Sequence, residues 1–264
     1  MTQSLIGFGI AGALDHAVVR TIAPRLEAAG FATLWVNDTP DGDSLRSLAA
    51  AAEVTSSLHL ATGVISVDRR PVEEIISAVH RLDLPQSRLT VGIGSSAPPS
   101  PLSRIEASID ALHRELASRV MVGALGPRMR RVAVVQADGA LLNWLTPDAA
   151  RRAVADMEQA VEGSGGRRGH MALYVRTALG DAAGARLEVE AERYAGIKSY
   201  AANFRRLGVR AIDTAIRSST PAGIRDGIAR YDGTLDEIVI RAITAKDTIE
   251  EYLELMDAVM GRDS

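Results

Sequence analysis

The sequence contains no cysteine, little lysine and few aromatic residues. Without cysteine among its 264 residues, disulfides and thiolate metal sites are excluded, and we expect no metal centre. Of the 30 basic residues, only Lys198 and Lys246 are lysines, and the rings amount to 3 Phe, 5 Tyr and 2 Trp. The net charge of -3 provides no large basic field, so nucleic acid is not an expected partner.

Long apolar runs are also missing. No stretch of about 18 apolar residues occurs, so we expect no membrane span. The chain starts with Met-Thr-Gln-Ser and enters a strand-like run at once, without the basic and cleavable apolar segments of a secretory signal. These features make a cytoplasmic protein the expectation.

Short apolar runs alternate with helical patterns along the whole chain. The runs are nearly continuous in apolar character, which is typical of strands buried on both faces. They predict strands at residues 5–10, 33–36, 60–65, 89–93, 120–122, 140–144, 171–177 and 237–243. The patterns between them predict helices at residues 18–29, 43–55, 72–81, 101–117, 127–137, 147–161, 185–207, 219–231 and 247–260.

The spacing of these elements predicts the fold. Most strands start roughly 30 residues apart, which is the length of a β-α unit. Eight such units predict a single α/β domain over residues 1–264, a (β/α)8 TIM barrel. The longer interval before the last strand predicts a helical insertion, residues 181–236, between strands seven and eight. An open doubly wound sheet is the rival fold, but no second nucleotide-fold signature supports it.

A TIM barrel carries its chemistry at the carboxyl ends of its strands. Glycine stands at five of the eight predicted ends, which favours a shallow site for a planar ligand over five unrelated strand breaks. Asn143 and Trp144 end strand six, where they could contact a ring and its carbonyl groups or simply cap a turn and fill the core. Arg176 and Arg241 end strands seven and eight and could meet an acidic substrate or a cofactor tail.

The stretch VGALGPRMRR, residues 122–131, joins the fifth strand to a helix. Gly123 ends the strand, and Gly126 and Pro127 begin the helix, whose free N–H groups favour an anion. Arg128 adds a guanidinium suited to phosphate. An ordinary turn with proline at the first helical position explains the same residues equally well. The spacing of a P-loop is absent.

Four segments together resemble the luciferase-like monooxygenase family: GFATLWVNDTP (30–40), LHLATGVISVDRRP (58–71), RLTVGIGS (88–95) and VGALGPRMRRVAVVQADGALLNWLTP (122–147). The resemblance implies hydride transfer between a small organic substrate and coenzyme F420, a deazaflavin, or alternatively the flavin FMN, held in the barrel mouth. The implied catalytic residues are Asp38, Thr39, Asn143 and Trp144. The implied cofactor contacts are Asp38, Gly63, Val64, Gly94, Ser95, Gly123, Ala124, Leu125, Gly126, Pro127, Arg128 and Met129.

The chain departs from the family pattern after the second strand. Asp38 matches an acidic position where deazaflavin-dependent members often read Asp-His, but Thr39 follows it here. The missing histidine leaves a second function open, a non-catalytic flavin- or deazaflavin-binding protein of the same fold. Asp38 could also be a turn residue of the run Asn-Asp-Thr-Pro-Asp-Gly.

The resemblance implies two further properties. One is a non-proline cis peptide bond at Gly63–Val64, in a bulge that would lie behind the ring. The other is a homodimer formed through helices near the second and third strands, where residues 45–54 are rich in alanine. A phosphate-binding aldolase or isomerase is the remaining alternative, but the strand ends lack the lysine or paired carboxylates that it needs.

Overall fold

Parallel strands form a closed barrel, as the alternation of strands and helices predicted. A computed structural model describes residues 3–97, 99–166 and 168–262; the predicted single domain, residues 1–264, extends beyond these ranges. The barrel closes because its last strand pairs with both the first and the seventh barrel strand. In chain order the strands are β1 Leu5–Ala11, β2 Thr33–Asn37, β3 His59–Thr62, β4 Ile65–Ser66, β5 Leu89–Gly94, β6 Arg119–Gly123, β7 Gly139–Asn143, β8 His170–Leu179, β9 Ile216–Ser218 and β10 Glu237–Ala242.

Eight of these described strands make the barrel, and two are short additions. β4 follows a bulge after β3 and pairs with β5, while β9 pairs with the carboxyl end of β8. The remaining strands pair in parallel around a complete circuit, with helices outside. The predicted (β/α)8 TIM barrel is therefore confirmed.

Helices surround the barrel in the described parts of the chain. Their bounds are α1 His16–Ala29, α2 Ser44–Ala52, α3 Val72–Arg81, α4 Pro101–Glu115, α5 Pro127–Gln136, α6 Pro147–Glu162, α7 Asp181–Ala195, α8 Lys198–Leu207, α9 Pro221–Ala229 and α10 Ile249–Met260. Short 3-10 turns lie at Gln86–Arg88 and Ala211–Thr214. None of the helices within these ranges has the length and apolar character needed to cross a membrane.

Local sequence signals explain where several helices begin. Proline opens α4, α5, α6 and α9, at the first-turn position where its missing N–H costs no hydrogen bond. Asp43 caps α2 and accepts hydrogen bonds from the backbone N–H groups of Leu45 (3.1 Å) and Arg46 (3.2 Å). Such capping satisfies donors that have no partner inside the helix.

Three predicted elements differ from the structure. α1 starts at His16, and Pro24 lies inside it without ending it, because buried Ile22 and Leu26 hold the helix against the barrel on both sides of the proline. The predicted third strand is interrupted by the bulge between β3 and β4. The predicted helix at residues 185–207 is two helices. α7 ends at Ala195, and the N–H of the next residue, Gly196, donates to the carbonyl of Glu192 (3.2 Å).

Residues 181–236 contain α7, α8, the second 3-10 turn, β9 and α9. α7 and α8 reach the carboxyl end of β7, where Tyr194 and Phe204 pack against Trp144. The segment therefore covers one side of the barrel mouth. Its description as an insertion stays a prediction.

The bulge at Gly63–Val64 contains the predicted non-proline cis peptide bond. The side chain of Val64 lies in a niche formed by glycines of β5 and β6. A Cβ atom added to Gly94 would lie 2.7 Å from Val64 Cγ2, and one added to Gly123 would lie 3.1 Å from both Val64 methyl groups. These glycines leave room for Val64, so the glycine-rich rim accommodates a side chain of the barrel itself.

Polar side chains fill the amino-terminal end of the barrel. Trp35 Nε1 donates to Glu237 Oε1 (2.8 Å), and His170 Nε2 lies 3.0 Å from Glu237 Oε2. His59 Nε2 lies 2.9 Å from Thr90 Oγ1. Burial, together with the nearby positive charge of Arg119, lowers the pKa of His59 from 6.5 to about 4. A neutral His59 is therefore part of the folded state at neutral pH.

The alanine-rich helix expected to form a dimer contact is mostly buried within the chain. Leu45, Leu48, Ala50 and Ala51 of α2 are buried, and Val54 beyond its end is 38% exposed. The homodimer stays a prediction.

We predict that Gly94→Ala destabilises the fold by roughly 1–3 kcal/mol, the usual cost of an overfilled core. The added methyl group would collide with Val64 Cγ2, which a stiff β-branched side chain cannot easily move aside. Urea unfolding measures the loss. In a Val64→Ala background most of the cost should disappear; an undiminished cost would contradict the niche. Gly184→Ala in α7 is the control, since no atom lies near the added Cβ.

We predict that the free energy of unfolding falls between pH 7.5 and pH 5.0, partly because of His59. Since its pKa is lowered on folding, only the unfolded chain binds a proton at this residue between about pH 6.5 and 4. The contribution is therefore present above pH 6.5 and lost as the pH falls towards 4. Urea unfolding at both pH values should give a smaller difference for His59→Gln, but not for exposed His80→Gln. Equal pH slopes would refute the assignment.

Candidate functional site

The loops after β2 and β3–β4 are joined by Asp38, at the carboxyl end of the barrel. Its carboxylate accepts hydrogen bonds from the Ser44 backbone N–H (3.2 Å) and Ser44 hydroxyl (2.9 Å), and it pairs with Arg69. The side chain is 4% exposed. Thr39 beside it has a buried hydroxyl without a partner among the described residues. In this arrangement Asp38 holds two loops together.

Ser95, an implied cofactor contact in the turn after β5, joins this turn to the loop after β4. Its hydroxyl donates to Asp68 Oδ1 (2.7 Å), and Arg104 contacts both Asp68 Oδ1 (2.6 Å) and Ser95 (3.1 Å). Asp68 accepts further bonds from backbone N–H groups of the same turn. Burial alone would raise the pKa of Asp68, but these hydrogen bonds outweigh burial and lower the pKa. Gly94 just before Ser95 belongs to the Val64 niche.

Asn143 and Trp144, predicted at the end of β7, hold Arg176 of β8. Arg176 Nη1 donates to Asn143 Oδ1 (2.6 Å), and the guanidinium carbon lies 3.7 Å from the centre of the Trp144 ring. Nε donates to Glu190 Oε1 of α7 (2.7 Å). Trp144 is 1% exposed and adopts a left-handed backbone with φ of 55°. The two predicted residues therefore bind a buried cation of the protein.

An aromatic cluster covers this part of the mouth. The Trp144 ring centre lies 5.0 Å from that of Tyr194 and 5.7 Å from that of Phe204, and Tyr194 lies 4.8 Å from Tyr200. The indole N–H of Trp144 is buried and has no partner in the described structure. Despite the small number of rings in the chain, four of them meet here.

Arg241 of β10 points into the mouth beside Arg176. It is 8% exposed, its Nη1 donates to the carbonyl of Ala242, and its Nε has no partner within the described ranges. The hydroxyl of Tyr174, below it in the barrel, is likewise buried and unpartnered there, and burial raises its pKa. Burial would raise the pKa of Glu190, but the charges of Arg176 and Arg241 outweigh it and lower this pKa.

The turn between β6 and α5 has the geometry that its sequence predicted. The Ala124 N–H donates to the carbonyl of Leu141 (3.1 Å), and Gly126 precedes the first helical residue, Pro127. Arg128, the predicted anion ligand, is exposed, and Met129 is half-buried. The first turn of α5 therefore presents its N–H groups at the rim of the barrel, as expected for an anion-binding helix start.

Arg130, a residue that the sequence did not single out, is the buried cation at this turn. It is 7% exposed, and its Nε and Nη2 have no partners among the described residues. Asn203 of α8 is 1% exposed with an unpartnered Nδ2, and Arg206 donates to the carbonyl of Leu125 (2.9 Å) and to Asn203 Oδ1. Burial and the nearby charge of Arg206 lower the pKa of Arg130 to about 10.

The helical phase of α5 is the signal that could have identified Arg130. Residues three and four positions apart share a helix face, and Ala133 and Val134 are buried. Arg128 and Arg131 each have only one buried residue at these two spacings, Val132 and Val134 respectively, and both are exposed. Nothing local to α5 could have indicated Asn203 or Arg206, since both come from a helix about 70 residues further along the chain.

The histidines do not cluster at the barrel mouth. His59 and His170 lie at the amino-terminal ends of β3 and β8, and His80 and His113 lie in the last turns of α3 and α4. His16 begins α1. No group of three or more potential metal ligands is found in the part of the chain that the structure describes.

Comparisons with known proteins point to one family. Residues 11–117 match the family described as luciferase-like monooxygenase. No protein of curated function matches the chain by sequence. Monooxygenase RslO1 from Streptomyces bottropensis has a similar structure, with a TM-score of 0.74, 16% identity and coverage of 98% of both chains.

Two other solved structures are similar in fold. An F420-dependent secondary alcohol dehydrogenase, in complex with an F420-acetone adduct, has a TM-score of 0.74 and 14% identity, covering 98% of this chain and 99% of that one. The oxygenating constituent of 3,6-diketocamphane monooxygenase from Pseudomonas putida, in complex with FMN, has a TM-score of 0.69, 10% identity and 97% coverage of both chains. These matches confirm the resemblance indicated by the sequence: the chain is similar to luciferase-like monooxygenases in sequence over residues 11–117 and in fold over nearly its whole length.

Proposed function

We propose that this protein is an oxidoreductase that binds coenzyme F420, or alternatively FMN, in the barrel mouth and transfers hydride between it and a small organic substrate. The observation that carries the proposal is the buried cation at the start of α5. Arg130 and Asn203 both direct unpartnered nitrogen atoms into this region, beside Arg206. Both proposed cofactors contain phosphate, which is the kind of group that these donors would bind.

The residues at this turn fit a phosphate group for a physical reason. The buried guanidinium of Arg130 has no ion pair among the described residues, and although Asp156 partly offsets its charge, burial and the charge of Arg206 outweigh that effect. A phosphate would accept hydrogen bonds from Arg130, from Asn203 and from the first N–H groups of α5, and would offset both charges. The same donors suit F420 and FMN, so the site supports the class of cofactor rather than one member.

Val64 is the residue proposed to contact the ring of the cofactor. Its side chain lies between the glycines of β5 and β6, next to Gly123 and thus close to the turn that begins α5. The surface here is apolar, because Val64 packs against the apolar cluster inside the barrel, and an apolar wall suits a planar ring. F420 is proposed before FMN because the sequence resembles deazaflavin-dependent relatives at Asp38 and at Gly63–Val64.

The cofactor would supply two-electron hydride chemistry, while the chain supplies orientation and electrostatics. Arg176, held by Glu190 and Trp144, provides a fixed positive charge in the mouth. Burial raises the pKa of Tyr174 further above neutral pH, so its hydroxyl remains a neutral hydrogen-bond donor. Neither of these contributions, from Arg176 and from Tyr174, depends on a histidine at position 39, where this chain has threonine.

A second candidate function is cofactor binding without catalysis. Both oxygens of the Asp38 carboxylate already have partners within the chain, Ser44 and Arg69, which favours a structural role for this residue. Absorbance titrations of the purified protein with F420 and with FMN test both functions. Binding followed by turnover supports the oxidoreductase, binding without turnover in oxidised and reduced forms supports the second candidate, and binding of neither cofactor refutes both.

We predict that Arg130→Gln weakens binding of the phosphorylated cofactor by about 10- to 100-fold, or roughly 1–3 kcal/mol, the range for charge-assisted hydrogen bonds. Fluorescence titration with FMN or F420 measures the loss. Riboflavin, which lacks the phosphate, should bind both forms alike. Arg128→Ala should have a smaller effect because the side chain is exposed.

The matched control is Arg131→Gln, which removes the same charge from an exposed position of α5. It should leave the affinity within about twofold at moderate salt. If Arg130→Gln lowers riboflavin and FMN binding equally, Arg130 supports the fold rather than the phosphate, and the proposed anchor is wrong.

A further inference from the structure

The barrel mouth has two chemically different halves. On the side of β3, β5 and β6 it is lined by glycines and by Val64. On the side of β8 and β10 it is lined by Arg176 and Arg241, which are direct register partners in neighbouring strands. Two buried guanidinium groups therefore lie side by side on the half of the mouth that faces away from the proposed ring contact.

One of these two charges is balanced by the protein. Arg176 pairs with Glu190, donates to Asn143 and stacks on Trp144. The side chain is 1% exposed and is fixed by groups from two segments of the chain, the end of β7 and α7. Arg176 therefore needs no ligand to satisfy its charge.

The charge of Arg241 is not balanced. No Asp or Glu in the described ranges pairs with it, and its only hydrogen bond there joins Nη1 to the carbonyl of adjacent Ala242. Its Nε is buried without a partner. The charges of Arg176 and Arg241 both lower the pKa of Glu190, so one carboxylate lies near two guanidinium groups. This half of the mouth therefore keeps an excess positive charge.

The neighbouring strand leaves room for Arg241. Gly9 of β1 is its register partner on the other side, and a Cβ atom on Gly9 would lie 3.4 Å from Arg241 Cδ and 3.2 Å from Tyr174 Cε1. A larger residue in place of Gly9 would crowd both side chains. The arginine is thus accommodated across the top of the barrel rather than turned out to solvent.

We propose that Arg241 binds a carboxylate group of the substrate, so that the substrate class is a small organic acid. This inference rests on the proposed function, since it places the acid in the mouth beside the cofactor. The free Nε of a guanidinium whose Nη1 is already engaged offers the edge that carboxylates bind. The bound anion would offset the excess charge that Glu190 leaves.

Calorimetric titration of the purified protein, with and without cofactor, tests the inference with three pairs of probes: acetate and acetamide, benzoate and benzamide, hexanoate and hexanamide. Each pair has similar shape and differs in charge. We expect at least one carboxylate to bind tenfold or more tightly than its amide. Arg241→Gln should remove this preference while cofactor affinity stays unchanged. Arg193→Gln, which removes an exposed charge from α7 nearby, should retain it.

A second variant keeps the test decisive if Arg241→Gln does not fold. Arg241→Lys keeps the positive charge but lacks the planar edge formed by Nε and Nη2, so it should weaken carboxylate binding several-fold without affecting the amide. Equal binding of acid and amide, no binding of any probe at millimolar concentration, or a preference that survives Arg241→Gln would overturn the inference. Failure of F420 and FMN to bind, with the carboxylate preference intact, would instead overturn the proposed function and leave Arg241 as a carboxylate site without a redox role.

Discussion

The buried guanidinium of Arg176 joins parts of the chain that would otherwise be independent. It binds Asn143 and Trp144 at the end of β7 and Glu190 on α7, and so attaches the segment after β8 to the barrel. A buried charge of this kind is tolerated only when paired and hydrogen-bonded. The covered mouth, the aromatic cluster and the unbalanced charge of Arg241 all follow from how this one cation is satisfied.

Glycine occurs at these rim positions because neighbouring side chains leave little space for a Cβ atom. Gly94 and Gly123 make way for Val64, Gly63 lies against the hydroxyl of Tyr174, and Gly9 makes way for Arg241. Barrel interiors are filled by alternating large and small residues, and this chain fills one half with glycine and valine and the other with arginine and tyrosine. The contrast between the halves provides separate environments for a ring and for an acid.

The sequence predicted the barrel well because each strand is a continuous apolar run, and helix starts were marked by residues such as Asp43 and Pro127. It predicted the helix at 185–207 as one element, since the helical pattern continues across Gly196. At the turn after β6 it singled out Arg128, which is exposed in the structure and stays a prediction as a cofactor contact. Arg130 could be identified only from the helical phase of α5. Asn203 and Glu190 could not be identified from any local pattern, because their positions depend on the path of α7 and α8 over the mouth.

The scarcity of lysine has a practical consequence for spectroscopy. Lys198 is the first residue of α8, and Lys246 lies in the loop that follows β10; both are exposed. With no other side-chain amine in the chain, a fluorophore directed at amines attaches at these two positions and at the α-amino group, which can be labelled selectively at lower pH. The chain therefore carries a natural pair of labelling sites for following the separation of α8 from β10.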